Sequence, residues 1–387
     1  MQLKNPNSEK LKIGLVFDDS LDRPDGVSQY VKTLGKWLSA QGHEVRYLVG
    51  QTTLEQWQGG RVYSLSKNIP VSFNGNRLTT PLPVKKSRVR EILSFEEFDV
   101  LHIQIPYSPF MAKTVINNSA ALTAVVGTFH ILPAGWMASW GTKLLRLTYG
   151  RSLKRVDKML SVSTSAAEFA QQTLKRESSV LPNVVESAVF GKTKKIARSG
   201  SHIIFLGRLV ERKGCLFLLK AFLIIAAKYP NARLTIAGDG PDRNELEDFV
   251  KKNNLQKQVS FLGFIDENDK PNLLGSTDIA CFPSLYGESF GIVLIEAMAA
   301  GAGVVIGGNN PGYKTVLEPE ALFDPKNPNQ LALLLENLMN NKELSARIHL
   351  KQQQDVKKYD IEIVGAKLVE IYRSAVAKKR LKSHNKF

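Results

Sequence analysis

Cysteine is scarce: 387 residues hold two, Cys215 and Cys281. Both sit among apolar neighbours, in "KGCLFLL" and "DIACFPS", so neither a disulfide framework nor a cysteine metal cage is expected. No apolar run reaches the ~18 residues that a membrane span requires. The longest, "CLFLLKAFLIIAAKY", is broken by Lys220 and reads as a buried helix. No charged-then-apolar leader opens the chain, which points to the cytoplasm. There is no GxGxxG string, so the dinucleotide fingerprint is excluded. No GxSxG elbow or nucleophile–base constellation appears. No His/Cys/Asp/Glu spacing fits a metal cage, so no metal is expected. Acidic residues are in deficit, 36 against 52 basic ones, for a net charge of +16. That excess calls for an acidic partner: nucleic acid, an anionic membrane or a phosphorylated substrate.

What is present is ordinary globular composition, 43% hydrophobic and 23% charged, at a length that predicts two domains. Two regions repeat one grammar of a short β-rich run, a glycine and a helical pattern. In the first, "KIGLVFDDS" reads as a strand and "DGVSQYVKTLGKWLSAQ" as a helix, followed by the strand-like runs "HEVRYLVG", "FDVLHIQI" and "TAVVGTFH". The second region, from about residue 200, offers five strand-like runs: "HIIFLG", "ARLTIAG", "QVSFLG", "DIACFPS" and "AGVVIGG". Helical patterns separate them. Alternation of this kind predicts an α/β fold with two doubly wound, Rossmann-like domains. The expected boundaries are 1–183 and 184–360, with a linker near 181–200. Residues 361–387 form a long amphipathic helix and a basic tail. Ligands of open parallel sheets bind at the carboxyl ends of the strands, so the expected site is a cleft between the two domains.

Several residues stand at such ends. Arg208 and Lys213, in "RLVERKG", place two cations in a short loop where a diphosphate could bind; two solvated charges explain the spacing equally well. "GESFGIVLIEAMAAG" carries Glu288 and Glu296 within an almost wholly apolar stretch, and a helix is expected to begin near Ser289. A charge there is costly unless paired or met by a ligand. The free N–H groups of the helix start suit a phosphate, and the carboxylates suit sugar hydroxyls. Gly26 at a helix entrance permits close approach of a phosphate, or is merely a turn. His130 ends a strand-like run and either reaches the ligand or is a satisfied structural histidine. The cations Lys85, Lys86, Arg88 and Arg90 share two helical turns, and a second stretch mixes Trp136, Trp140 and leucines with Lys143, Arg146, Arg151, Lys154 and Arg155. Both patterns suit a membrane interface, and both are also what a solvated helix face looks like. At ~1 kcal/mol per basic residue on an anionic surface, the first cluster supplies about 4 kcal/mol. That is roughly a thousandfold enrichment, enough for reversible docking.

Together these strings resemble the retaining GT-B glycosyltransferases grouped as family four. The paired glutamates match that family's E-x7-E motif and "FLGRLVERKG" its donor-phosphate loop, while "AGDGPDRNELE" and "VSFLGFIDENDK" fall where comparable strings lie. Within the family, the "FNG" loop, basic helix and "FDVLH" of residues 73–102 resemble bacterial phosphatidylinositol mannosyltransferases. The resemblance implies two Rossmann-like domains facing across a cleft, with the C-terminal helix crossing back to the first domain. It implies donor-diphosphate contacts for Gly26, Arg208, Lys213 and Ile292, sugar contacts for Glu288 and His130, and the ribose for Glu296. Ile265, Glu267 and Lys270 fall at nucleotide-contacting positions. Lys85, Lys86, Arg88 and Arg90 would dock on the membrane.

The expected partners are a nucleotide diphosphate sugar, a lipid acceptor such as phosphatidylinositol and an anionic membrane surface, with no nucleic acid and no cofactor or metal. The expected location is the inner face of the cell membrane. Three strings depart from the family: "PNVVE" for its "PNGVD", "QIP" for its "HEP", and "DG" for its double glycine. The last two lie on the acceptor side, so the acceptor is the part least carried over. GDP-mannose is the favoured donor. UDP-glucose on a diacylglycerol or glycan acceptor is the alternative. A nucleotide-sugar epimerase and a nucleic-acid binder are the readings from other classes.

Overall fold

The computed structural model describes residues 10–22, 25–73, 76–108, 110–130, 150–192 and 201–384. The stretch containing Trp136, Trp140, Lys143 and Arg146 lies outside the described residues, as do 193–200 of the expected linker and the last three residues of the tail. The chain divides into two compact units. One takes the residues up to Phe73, Arg77–Val184 and those from Ile361 onward; the other takes Val185–Asp360.

The first unit is built on an eight-stranded sheet. Its strands are β1 (Lys12–Phe17), β2 (Glu44–Val49), β3 (Gln56–Trp57) and β4 (Gly60–Ser64), then, after a separate pair β5 (Asn68–Phe73) and β6 (Asn76–Pro81), β7 (Val100–Ile103), β8 (Ala124–Phe129), β9 (Lys158–Ser161) and β10 (Ser179–Val180). The order is β10-β9-β8-β7-β1-β2-β4-β3, all parallel except β3 against β4. The central strands are apolar along their length because helices cover both faces of a parallel sheet. Helix α1 (Gly26–Ala40) presses on β2 so closely that a Cβ at Gly35 would stand 2.1 Å from the Tyr47 hydroxyl. Helix α2 (Lys86–Glu96) buries Val89, Ile92, Leu93 and Glu96. Glu96 anchors it by accepting from Lys12 at 2.7 Å, Arg46 at 3.0 Å and the Tyr63 hydroxyl. Lys86, Arg88, Arg90 and Phe95 are thereby left facing solvent, with Lys85 exposed at the helix entrance. Helices α3 (Met111–Asn118) and α4 (Thr164–Leu174) complete the unit with the final helix.

The second unit opens with the one-turn α5 (Ser187–Phe190) and holds a six-stranded parallel sheet: β11 (His202–Leu206), β12 (Arg233–Ala237), β13 (Val259–Gly263), β14 (Ile279–Phe282), β15 (Val304–Gly308) and β16 (Leu322–Phe323), in the order β13-β12-β11-β14-β15-β16. Helices α6 (Cys215–Lys228), α7 (Arg243–Lys252), α8 (Lys270–Gly275), α9 (Ile292–Ala299), α10 (Pro328–Asn340) and α11 (Lys342–Asp355) connect and cover it. Lys220 does not break α6; it projects to the surface while Leu218, Leu219, Phe222 and Ile225 are buried. The chain passes from the first unit to the second between Val184 and Val185, within the stretch expected as linker, and Leu181, Asn183, Val184 and Val185 are buried.

Helix α12 (Ile361–His384) belongs to the first unit. Val364, Leu368, Tyr372 and Val376 recur at helical spacing and enter that unit's core. Gly365 allows the close crossing of α1, since a Cβ there would lie 2.6 Å from the Trp37 ring. The buried Tyr372 hydroxyl bonds His102 Nδ1 at 2.6 Å, and His102 Nε2 meets Thr128 Oγ1 at 2.7 Å, which ties β7, β8 and α12 together. Burial lowers the His102 pKa to about 3. The neutral ring carries a single N–H, so it donates in one contact and accepts in the other.

Candidate functional site

In the second unit the chain leaves β11 toward one side of the sheet and returns in β14 on the other, so the strand order reverses between these two neighbours. Such switch points are where loops diverge and leave room for a ligand. The loop after β11 contains Arg208 and the 3-10 turn Glu211–Lys213, and the loop after β14 contains Glu288. Their backbones are joined. Leu285 N–H donates to Arg212 O at 2.8 Å. Gly214, at φ +70°, leans on Pro283 so tightly that a Cβ would come within 2.1 Å of its carbonyl oxygen. Glycine is required there both for the left-handed backbone and for the close approach.

This junction brings Lys213 and Glu288 together. Lys213 Nζ lies 2.7 Å from Glu288 Oε1, and Arg212 reaches the same oxygen at 3.1 Å. Burial works against the Glu288 carboxylate, but Lys213 and Arg212, helped by hydrogen bonds from Lys213 and Ser284, hold its pKa below the usual value. Arg212, the second pairing partner, adjoins Lys213 in the same string, where nothing in the sequence distinguishes it from a solvated loop cation. Arg208 is exposed in this loop.

The helix expected to start near Ser289 starts at Ile292 instead. Two glycines at positive φ, Gly287 at +76° and Gly291 at +108°, keep the intervening residues in a loop. Glu288 therefore sits in that loop and not at the helix entrance. No side chain caps α9, whose first N–H groups follow Gly291 with Ile292 half-buried at the first position. In α1 the corresponding donors are spoken for: Asp25 accepts from Val27 N–H at 2.9 Å and Ser28 N–H at 3.0 Å, beside Gly26.

Glu296, inside α9, is buried, and Lys270 at the start of α8 answers it at 3.4 Å. Lys270 also pairs with Glu267 at 2.8 Å. Burial pushes the Glu296 pKa up and Lys270 offsets this in part, while Glu267 adds to the rise. Burial disfavours charge on Lys270, yet Glu296 and Glu267 together keep its pKa above the usual lysine value. Ile265 lies half-buried in the loop that carries this group, after β13. Two carboxylate–cation groups thus stand at the carboxyl ends of β11, β13 and β14. Oxygen acceptors beside fixed cations suit a ligand that combines hydroxyls with an anion.

In the first unit, His130 follows β8 and is buried. Its Nε2 meets Gln104 Oε1 at 2.9 Å, and its ring stands edge-on to Tyr30 at 5.3 Å. Burial lowers its pKa to about 3, so the ring is neutral. Asp18, just past β1, is buried beneath Ser108, which donates to it, and burial raises its pKa to about 7. Among the described residues no three His, Cys, Asp or Glu side chains assemble as a metal site. Nor is any described helix long and apolar enough to cross a membrane. On α2, Arg88 pairs with Glu91 at 3.0 Å and Arg90 donates to Asn118 at 2.8 Å.

Two family profiles match the chain in succession, Glycosyltransferase Family 4 over residues 24–189 and Glycosyl transferases group 1 over residues 192–355. The phosphatidyl-myo-inositol mannosyltransferase of Mycolicibacterium smegmatis is 30% identical over 376 residues, 94% of each chain. That of Mycobacterium tuberculosis H37Rv is 29% identical over 386 residues, 94% of this chain and 97% of its own. Among solved structures, a glycosyltransferase from Rickettsia africae superposes with a TM-score of 0.77 at 17% identity, over 95% of this chain and 99% of its own. Anabaena Alr3699/HepE in complex with UDP superposes at 0.75, also at 17% identity, over 94% of this chain and all of its own. Both profiles, the near full-length relatives and the shared two-unit parallel-sheet architecture agree: this chain is a GT-B glycosyltransferase of group 1 and family 4.

Proposed function

We propose that the enzyme transfers mannose, with retention of configuration, from a nucleotide diphosphate donor to phosphatidylinositol at the inner face of the cell membrane, with GDP-mannose as the favoured donor. The observation that carries this reading is the 30% identity, across 94% of both chains, to a phosphatidyl-myo-inositol mannosyltransferase. The second unit's side chains give it a chemical basis. Lys213, Arg208 and the uncapped start of α9 at Ile292 oppose the charge of the departing diphosphate. Glu288 pairs with the Lys213 ammonium at 2.7 Å. An arriving diphosphate takes over that cation, and Glu288 then accepts from the hydroxyls of the transferred sugar. Glu296 takes the ribose, with Ile265, Glu267 and Lys270 along the nucleotide. Gly26 and His130 keep the roles that the resemblance implies.

In the transfer step the bond from the anomeric carbon to the phosphate oxygen breaks as the acceptor oxygen bonds to the same face. The leaving phosphate oxygen receives the acceptor's proton. Cationic side chains and helix N–H groups supply the electrostatic stabilisation, so no metal is needed. The basic face of α2, with Lys85, Lys86, Arg88 and Arg90, docks on anionic lipid.

The test is incubation of the protein with GDP-mannose or UDP-glucose, with and without phosphatidylinositol vesicles, in EDTA. Mannolipid formation and acceptor-dependent release of GDP are expected. Nucleotide release without acceptor would favour epimerisation or hydrolysis. Activity that needs a divalent ion would overturn the metal-free step.

A further inference from the structure

A polar cavity of about 570 Å³ opens in the first unit between α2 and the β4 edge of the sheet. Arg46 of β2, Arg61, Tyr63 and Ser64 of β4, Arg88 of α2 and Glu55 just before β3 line it. The volume suits a small-molecule ligand. Three strands, β7, β1 and β2, separate β4 from β8, which His130 follows, so the cavity stands apart from that histidine.

The arginines are arranged at a cost that an anion offsets. Arg46 and Arg61 are register partners on the neighbouring parallel strands β2 and β4, so their side chains leave the same face from backbones about 5 Å apart. Two like charges so placed repel. Arg46 is held there: its Nε donates to Glu96 at 3.0 Å, one terminal nitrogen to Val45 O at 3.1 Å and the other to Glu44. A guanidinium has five N–H groups, so each terminal nitrogen keeps one for a ligand. Arg61 lies 5.0 Å from the centre of the Tyr63 ring, and among the described residues no carboxylate pairs with it. Tyr63 is fixed in turn, since its hydroxyl donates to the buried Glu96. Arg88 enters from α2, paired with the exposed Glu91 at 3.0 Å, a surface contact of the kind that a ligand displaces at little cost.

Three planar forks offer more donors than the two oxygens of a carboxylate use, and a phosphate group matches them better. Glu55 opposes a second anion but accepts from hydroxyls. We propose that this cavity is a separate ligand site that takes the phosphate ester of a polyol, with the phosphate among Arg46, Arg61 and Arg88 and the hydroxyls toward Glu55. A phospholipid headgroup beside α2 and a soluble polyol phosphate share this chemistry.

Two measurements distinguish the sources: calorimetric titration with sn-glycerol 3-phosphate, and sedimentation with phosphatidylglycerol vesicles against phosphatidylserine vesicles of equal charge. Arg61 is exposed, so its replacement leaves the fold intact. Arg61→Gln should weaken binding about tenfold, the worth of one charge-assisted hydrogen bond. Arg61→Lys should recover little of it, because an ammonium lacks the fork. Arg208→Ala should bind glycerol phosphate like wild type, and Arg61→Gln should keep the melting shift given by GDP-mannose, which separates this site from the donor loop. A loss seen in the titration identifies a soluble ester; a loss confined to phosphatidylglycerol vesicles identifies a headgroup. Wild-type binding by Arg61→Gln in both measurements would overturn the proposal. So would full recovery in Arg61→Lys, equal weakening on the two kinds of vesicle with no titration signal, or a wild-type protein that binds neither glycerol phosphate nor phosphatidylglycerol.

Discussion

Replacing Lys213 with alanine tests whether the Glu288 group is a coupled unit. The Glu288 side chain is 12% exposed, and its partners Lys213 and Arg212 are 18% and 11% exposed, so water screens these pairs poorly. Removing one partner of a buried pair costs about 3–5 kcal/mol, mostly by stranding the other charge. Arg212 remains at 3.1 Å, so the lower end applies, about 3 kcal/mol. For a unit of this size each kcal/mol moves Tm by about 2–4 °C, so calorimetry should show the second unit melting about 6–12 °C lower. Adding Glu288→Gln to Lys213→Ala removes the carboxylate but takes the anion from Arg212, 11% exposed, so the loss should be recovered only in part. Turnover should not recover: it falls by roughly 100-fold or more, the usual cost of losing a transition-state donor. A Lys213→Ala protein that melts like wild type would refute the coupling. So would strictly additive losses in the double variant.

Other expectations follow from the first unit. Tyr372→Phe leaves His102 Nδ1 buried without its partner. It should cost about 1–3 kcal/mol in urea denaturation, and an unchanged midpoint would contradict the tie between α12 and β7. Asp18 has its pKa raised from 3.8 to about 7, so the native state keeps a proton that the unfolded chain releases. Native stability from this group is greatest at low pH and declines as pH rises from about 4 toward 7. Asp18→Asn, which cannot titrate, should therefore gain in Tm relative to wild type over that range, with Ser108, Tyr107 and Asp19 as neighbours unchanged; a pH-independent difference would count against it. Changing Lys85, Lys86, Arg88 and Arg90 to glutamine should weaken sedimentation with anionic vesicles, and added salt should do the same to wild type. Equal binding at all salt concentrations would contradict docking through α2.

The central strands were legible because parallel strands covered on both faces are apolar throughout, as in "HIIFLG" and "AGVVIGG". The edge strands β3, β10 and β16 were not, being two residues each with no periodicity to read. Glu288 could be singled out because charge in apolar company is costly, and Lys213 because it lies in a short loop at a strand's carboxyl end. Helix α9 starts three residues later than apolar spacing indicates, since two glycines at positive φ delay the helix and apolar spacing does not register backbone handedness. Arg212 looked like any loop cation. Arg46 and Arg61 belong to different strands, and nothing local in either string signals that β2 and β4 set them side by side.

The most direct test of donor binding at the Lys213–Glu288 group is the melting temperature of the wild-type protein across a panel of nucleotide diphosphate sugars. A true donor at about 100 times its Kd should stabilise by about 2.7 kcal/mol. GDP-mannose is predicted to give the largest rise, and Arg208→Ala and Lys213→Ala to abolish it. No rise with any nucleotide sugar, or a rise that both variants retain in full, would contradict the account.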